Sequence, residues 1–239
     1  MKRRGFITAG VAVLVTTLAT TLAACHKPAE PTAQVDDDAP PPAPPPPPPP
    51  PPEPDTVTVS LQTDKGEIVL LLEAKKAPIT VGNFLKYVDA GKLVGAPFWR
   101  AAHSGESGFI QATMNGPTFP PIAHESTKQT GLSHTSGAIS MSRFAPGTAT
   151  ADFVICVGDN TYMDYGRTGS EDKKGYAAFG HVIKGMGVVR SILAGRIDGH
   201  TREGGWSGQM LKQPVKILSA TRIATTTVDT VAASAVASS

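Results

Sequence analysis

The central part of this chain, Thr56 to Ile223, predicts an antiparallel β-barrel with helices over its open ends. Three observations carry that prediction. Apolar runs at 98–102, 109–112, 137–142, 152–157 and 178–183 are short and separated by Gly, Pro, Ser and Asn, as strands joined by turns would be. Only two stretches show the spacing of an amphipathic helix. Strands and helices do not alternate in the βαβ rhythm of a parallel sheet.

Taken in order, Val57 to Gln62 alternates with period two, as does much of Glu67 to Leu72, and Asp64-Lys65-Gly66 between them is a hairpin turn signal. A helix follows. Pro78 sets its entry, Thr80 is the expected cap, and Val81, Phe84, Leu85 and Val88 recur at helical spacing until Gly91 ends it. The five short apolar runs come next as strands. A second helix is expected over Met186 to Ala194, with Met186, Val189, Ile192 and Leu193 on one face, and Val215 to Ile223 alternates again as a closing strand.

Within this frame, Phe98-Trp99-Arg100 and Gly108-Phe109-Ile110-Gln111 put a fixed cation and an amide side chain on neighbouring short strands. Gly137 to Ser142 and Asp152-Phe153-Val154-Ile155 add apolar side chains. Such a set suits holding a peptide and perturbing its backbone rather than moving a proton or binding a metal. The order of these motifs resembles the cyclophilins, together with Ala77-Pro78-Ile79-Thr80-Val81-Gly82-Asn83-Phe84 and Phe179-Gly180-His181-Val182-Ile183 before Gly185-Met186. The resemblance covers essentially all of residues 56–223. It implies a closed eight-stranded antiparallel β-barrel capped by two α-helices, and peptidyl-prolyl cis-trans isomerase activity on proline-containing polypeptides, with no cofactor and no metal.

By that resemblance Arg100 and Gln111 are the catalytic residues. Trp99, Phe109 or Ile110, Met141, Ser142, Arg143, Asp152, Val154, Tyr162, Met163 and Tyr176 form the substrate groove, with Val154 beneath the proline ring. The chain departs from the family pattern in several places. Trp99 stands where many members have histidine, Arg143 replaces a usual asparagine, Asp152 a usual glutamine, Val154 a usual phenylalanine and Tyr162 a frequent tryptophan. A longer insertion between Arg100 and Gln111 leaves open which of Phe109 and Ile110 faces the groove. The smaller floor at Val154 predicts a weaker grip on proline, so a peptide-binding module or chaperone with little turnover is the alternative to an isomerase.

The two ends read as address and tether. Lys2, Arg3 and Arg4 precede an apolar, Thr-diluted run from Phe6 to Leu22, and Leu22-Ala23-Ala24-Cys25 closes it. This is similar to the lipobox of bacterial lipoproteins, with residues 1–24 removed and Cys25 lipidated. A single membrane span is disfavoured because the run is short of the ~20 apolar residues a crossing needs. Arg3-Arg4-Gly5-Phe6-Ile7 also looks like a twin-arginine export signal, and the choice of export route stays open. Residues 25–55 form an acidic and Pro-rich tether, with Asp36-Asp37-Asp38 and then Pro40 to Pro54 broken only by Ala43 and Glu53. Proline at that density favours polyproline II, a spacer of roughly 45 Å at ~3.1 Å per residue. Residues 224–239 are small and polar and read as a disordered tail. The expected location is the bacterial cell envelope, extracytoplasmic and lipid-anchored, on the periplasmic side.

Composition limits the partners. Without Lys2, Arg3 and Arg4 the 22 basic residues fall to 19 against 20 acidic ones, a net charge of −1, which gives no reason to expect nucleic acid. Cys156 is the one cysteine besides Cys25, so no intrachain disulfide is expected once Cys25 carries lipid, and its apolar run marks it as core filler. A monomer is expected. The six histidines (His26, His103, His124, His134, His181, His200) show no paired ligand spacing. His103 and Ser107 superficially suggest pieces of a serine protease, but proximity in sequence is no evidence for a relay.

Overall fold

The computed structural model describes residues 54–198 and 206–223. The signal segment, Cys25, nearly all of the tether, His200 and the C-terminal tail lie outside the described residues. Strands β1 (Val57–Thr63) and β2 (Gly66–Leu72) form a hairpin across the two-residue turn Asp64-Lys65. Helix α1 (Pro78–Asp89) follows, then β3 (Pro97–Ser104), β4 (Ser107–Thr113), a one-turn helix α2 (Thr127–Thr130), β5 (Ala138–Met141) and β6 (Asp152–Val157). A 3-10 turn at Thr161–Met163 leads to β7 (Ala177–Lys184), α3 (Met186–Leu193), β8 (Ile197–Asp198) and β9 (Met210–Ile223).

Every pairing between these strands is antiparallel, in the order β1-β2-β7-β5-β6-β4-β3-β9, and β9 pairs back onto β1. The sheet therefore closes on itself as the expected eight-stranded barrel, which leaves these strands no free edge. The two-residue β8 pairs with the start of β9 and stands outside that ring.

Inward-facing residues follow from strand period. Val59 and Leu61, Leu70 and Leu72, Phe98 and Ala101, Ile110 and Ala112, and Phe153 and Ile155 belong to one buried cluster. Helix α1 contributes Val81, Phe84, Leu85 and Val88, and α3 contributes Val189, Ile192 and Leu193. Phe84 meets Phe153 edge-on at 5.4 Å, and Phe153 in turn meets Phe98 at 5.8 Å. Aromatic edges packed this way add about 0.5–1.5 kcal/mol each beyond area burial.

Two expectations are corrected. Thr80 is the third residue of α1 and not its cap; Ala77 holds that position and offers no side-chain bond. The open N–H groups are satisfied from 45 residues away instead. The Glu125 carboxylate accepts from Ile79 N at 3.1 Å, from Thr80 N at 2.7 Å and from the Thr80 hydroxyl at 2.6 Å. A carboxylate there also complements the positive end of the helix dipole. The closing strand begins at Met210 rather than Val215 because Met210 pairs with Arg100 and with Asp198, and Leu211 with Ile197, before the register with β3 shifts to put Val215 opposite Phe98.

The passage into α3 requires glycine. Gly185 has φ 95°, and a Cβ there would lie 2.2 Å from the Glu67 carbonyl.

Candidate active site

A cleft of about 470 Å³ opens on the outer face of β3, β4 and β6. Strand period explains which side chains reach it. On β4, Phe109, Gln111 and Thr113 line the cleft while Ile110 and Ala112 face the core. On β6, Asp152 and Val154 line it while Phe153 and Ile155 face the core. Strand β3 carries one residue too many for that rhythm. Phe98 pairs with Ala112 and Arg100 with Gln111, so the register shifts between them and Trp99 is the extra residue of a bulge. Phe98 and Ala101 both stay in the core, and the two consecutive residues between them both line the cleft.

Arg100 is held on four sides. Its Nη1 donates to Gln111 Oε1 at 2.8 Å and its Nε to Gln209 Oε1 at 2.7 Å. The guanidinium carbon lies 5.0 Å from the Phe109 ring centre and 4.9 Å from that of Trp206. Nη2 has no hydrogen-bond partner among the described residues and remains a donor for a ligand. Burial pushes the guanidinium pKa down to about 10, which leaves it charged at neutral pH.

The far wall is an acceptor chain. Trp99 Nε1 donates to Thr113 Oγ1 at 2.9 Å, the Thr113 hydroxyl donates to Asp152 Oδ1, and Gln111 Nε2 stands 3.5 Å from the same oxygen. Val154 packs with Ala138, Cys156 and Met163 beneath Phe109 and Tyr176, forming an apolar floor. Burial pushes the Cys156 thiol up to about 12, so it stays protonated, as a core filler does. Tyr162 stands at the rim, its phenol also pushed up by burial.

Arg143 lines the cleft without offering it a free charge. Its side chain is 1% exposed, and it forms a bidentate pair with Asp172 at 2.8 and 3.0 Å. It also donates from Nε to Gly175 O at 2.9 Å and lies 5.3 Å from the Tyr176 ring centre. The pairing holds the Asp172 carboxyl well below the ordinary carboxylate range.

Of the residues expected from sequence, Trp99, Arg100, Phe109, Gln111, Ser142, Arg143, Asp152, Val154, Tyr162, Met163 and Tyr176 line this one cleft. Ile110 and Met141 do not. Both belong to the core cluster, Ile110 because it alternates with Phe109 and Gln111, and Met141 because β5 is buried along its whole length. Phe109 is therefore the groove residue of the ambiguous pair. Sequence reasoning missed Thr113, Phe144, Thr148, Thr150, Gly169 and Trp206 in the lining, and Gln209 behind Arg100. Continuing the alternation from Phe109 and Gln111 would have found Thr113. Trp206 and Gln209 sit in a Gly-rich stretch with no period to follow.

The protease-like fragments assemble nothing. The His103 ring lies against the Leu193 carbonyl at 3.0 Å. A different chain does form, with His134 Nδ1 2.5 Å from Asp164 Oδ1 and Nε2 2.9 Å from Ser140 Oγ. His134 and Ser140 are fully buried, so this arrangement ties β5 to the loop after the 3-10 turn and reaches no substrate. Among the described residues there is no group of three or more His, Cys, Asp or Glu side chains able to hold a metal ion.

Comparison with known proteins agrees with this geometry. Residues 58–222 match the model of the family described as cyclophilin type peptidyl-prolyl cis-trans isomerase. A peptidyl-prolyl cis-trans isomerase of Acinetobacter baylyi is 36% identical over 165 residues, which is 67% of this chain and 82% of that protein. Peptidyl-prolyl cis-trans isomerase A of Dickeya dadantii is 38% identical over 138 residues, 56% of this chain and 70% of its own length. In fold, the crystal structure of a Cryptosporidium parvum cyclophilin superposes with a TM-score of 0.55 at 17% identity, covering 71% of this chain and 98% of that one.

Proposed function

The chain belongs to the cyclophilin-type peptidyl-prolyl cis-trans isomerases, and from that premise we propose that it is a lipid-anchored enzyme of the bacterial cell envelope, isomerising X–Pro bonds of exported proteins at the cleft around Arg100 and Gln111. Isomerase activity follows from the family.

The chemistry asked of the cleft is modest in kind and large in barrier. Rotation about an X–Pro bond must break amide resonance, at ~18–20 kcal/mol. No bond is cleaved, so no nucleophile is required. As the amide twists, the prolyl nitrogen pyramidalises and gains a lone pair, and a donor aimed at it stabilises the twisted form more than either planar one. Arg100 supplies that donor through Nη2. Gln111 and Gln209 hold the other two nitrogens of the fork, and the two rings keep the guanidinium from swinging into solvent. The apolar floor at Val154 receives the proline ring, and Tyr162 and Tyr176 stand at its rim.

The single observation that carries this reading is the immobilised Arg100 with one open amino group above an apolar floor. A protease-free isomerisation assay on proline peptides tests it, comparing wild type with Arg100→Ala. Equal rates would remove Arg100 from the mechanism. Binding of peptide without turnover by the wild type would favour a binding module.

The anchor rests on Lys2 to Cys25 and the proline-rich spacer that follows. Two lipid signals or more are needed for a stable hold at ~0.8 kcal/mol per buried CH₂. Labelling cells with a fatty-acid analogue should mark the wild type and leave Cys25→Ala unmarked; label on the variant would refute lipidation at Cys25. Accelerated refolding of an exported, proline-limited protein by the purified enzyme tests the folding role.

A further inference from the structure

Among the described residues Asp152 is the one acidic side chain in the cleft lining, and it is only half used. Its Oδ1 accepts from Thr113 and faces the Gln111 amide, while Oδ2 has no hydrogen-bond partner among the described residues. The other described cations in the cleft lining do not answer it. Arg143 is committed to Asp172, and the Arg100 fork is committed to Gln111, Gln209 and the reacting amide.

The same lining carries a second open group. Phe144 is 90% exposed, an unusual position for a phenylalanine. Its backbone is fixed where the chain turns away from Arg143, with Phe144 N donating to Thr148 Oγ1 at 3.1 Å and the Phe144 carbonyl accepting from Arg143 Nη1 at 3.1 Å. An aromatic face on a pinned loop and a carboxylate oxygen in the same cleft are the two groups that recognise a long cationic side chain. The ring takes the methylene stem and the charge, and the carboxylate takes the head.

We propose that Asp152, assisted by Phe144, makes this enzyme select substrates that carry a lysine or arginine within two residues of the isomerised proline. The inference rests on the cleft being the catalytic one. A bound peptide covers Asp152 and strips water from it. Covering it with an apolar side chain leaves a carboxylate short of partners, and covering it with an acidic one adds repulsion, so both are rejected relative to a cation.

The test uses the purified enzyme and a peptide series with Lys, Arg, Gln, norleucine or Glu placed one or two residues before, or one residue after, the proline. Turnover is read by a protease-free assay. At low salt the wild type should favour Lys and Arg over Glu by about tenfold in kcat/KM at one of these positions, mostly through KM. In Asp152→Asn the ratio should fall to within about twofold, and in Asp152→Lys it should invert. Phe144→Ala should narrow the gap between Lys and Gln by about two- to threefold. Because Asp152 also anchors Thr113, the wild type serves as its own control. Raising the salt to 1 M shortens the screening length to ~3 Å and should erase most of the preference. Turnover that ignores peptide charge, a preference that survives both Asp152 variants, or one indifferent to salt would each overturn the inference while leaving the isomerase reading intact. A wild type that turns over none of the peptides would overturn the catalytic reading of the cleft and this inference with it.

Discussion

Arg100 and Gln111 face each other as directly paired residues of β3 and β4, and the guanidinium Nη1 donates to the side-chain Oε1 of Gln111 at 2.8 Å. The backbone register alone places the two residues opposite each other, independent of the side-chain bond. Two adjacent strands thus deliver the donor and the residue that orients it to one point.

Replacing Arg100 by alanine should lower kcat/KM by about 10²–10³ while leaving the barrel folded, since the side chain faces the cleft and not the core. Arg100→Lys should recover little of this, because an ammonium cannot keep the Gln111 and Gln209 bonds while offering a third donor in the same plane. Circular dichroism beside the isomerisation rate separates loss of chemistry from loss of fold.

Gln209→Ala and Trp206→Leu should each reduce kcat by about five- to thirtyfold with little change in KM. Both residues touch Arg100 and act through it, one on Nε and one on the guanidinium face. A KM effect equal to the kcat effect would argue that they bind substrate directly.

Val154→Phe should tighten binding, with KM falling about three- to tenfold, because the larger ring fills the apolar floor beneath Phe109 and Tyr176. Steady-state kinetics on one proline peptide decides this. An unchanged KM would mean that the floor is already matched to proline.

Glu125→Ala should destabilise the domain by about 1–3 kcal/mol, visible as a lower Tm, since three donors at the start of α1 lose their acceptor together. The isomerisation rate of the folded fraction should not change.

The rate should be flat between about pH 6 and pH 8.5. Among the described residues the cleft lining contains no histidine or cysteine, burial pushes Tyr162 up, and Arg100 at about 10 keeps its proton. On the acid side, Asp172 is one of four described carboxylates held below their ordinary range, with Glu67, Asp159 and Asp164. The folded pKa of Asp172 is depressed by Arg143, so the stability it contributes is complete above the ordinary Asp pKa near ~3.9 and is lost only as pH falls below that toward the depressed value. A bell-shaped profile centred near neutrality would point to acid–base chemistry and against a fixed donor.

Much of this was legible in sequence because it depends on local period. The hairpin and both capping helices follow from alternation and helical spacing, and the strands of the cleft from short apolar runs between turns, while the roles of Arg100, Gln111 and Val154 are what the resemblance implies. The errors in the groove came from the resemblance and not from local period. Ile110 and Met141 entered the groove by resemblance, although period two alone sends Ile110 to the core. What stayed hidden depends on contacts distant in sequence. Glu125 caps a helix 45 residues earlier, and Gln209 reaches Arg100 across 109 residues. Neither contact leaves a local pattern.

The Trp99 bulge has a further consequence. Because the extra residue is inserted between two core positions and not exchanged for one, Phe98 and Ala101 keep their places in the barrel interior whatever occupies position 99. The cleft gains a wall residue without displacing a residue of the barrel interior. The cost of changing it lies in the wall. The Trp99 side chain is buried, packs on Trp206 at 5.6 Å and donates to Thr113. A smaller residue there reshapes which peptides fit and gives up that burial, while Phe98 and Ala101 need not repack.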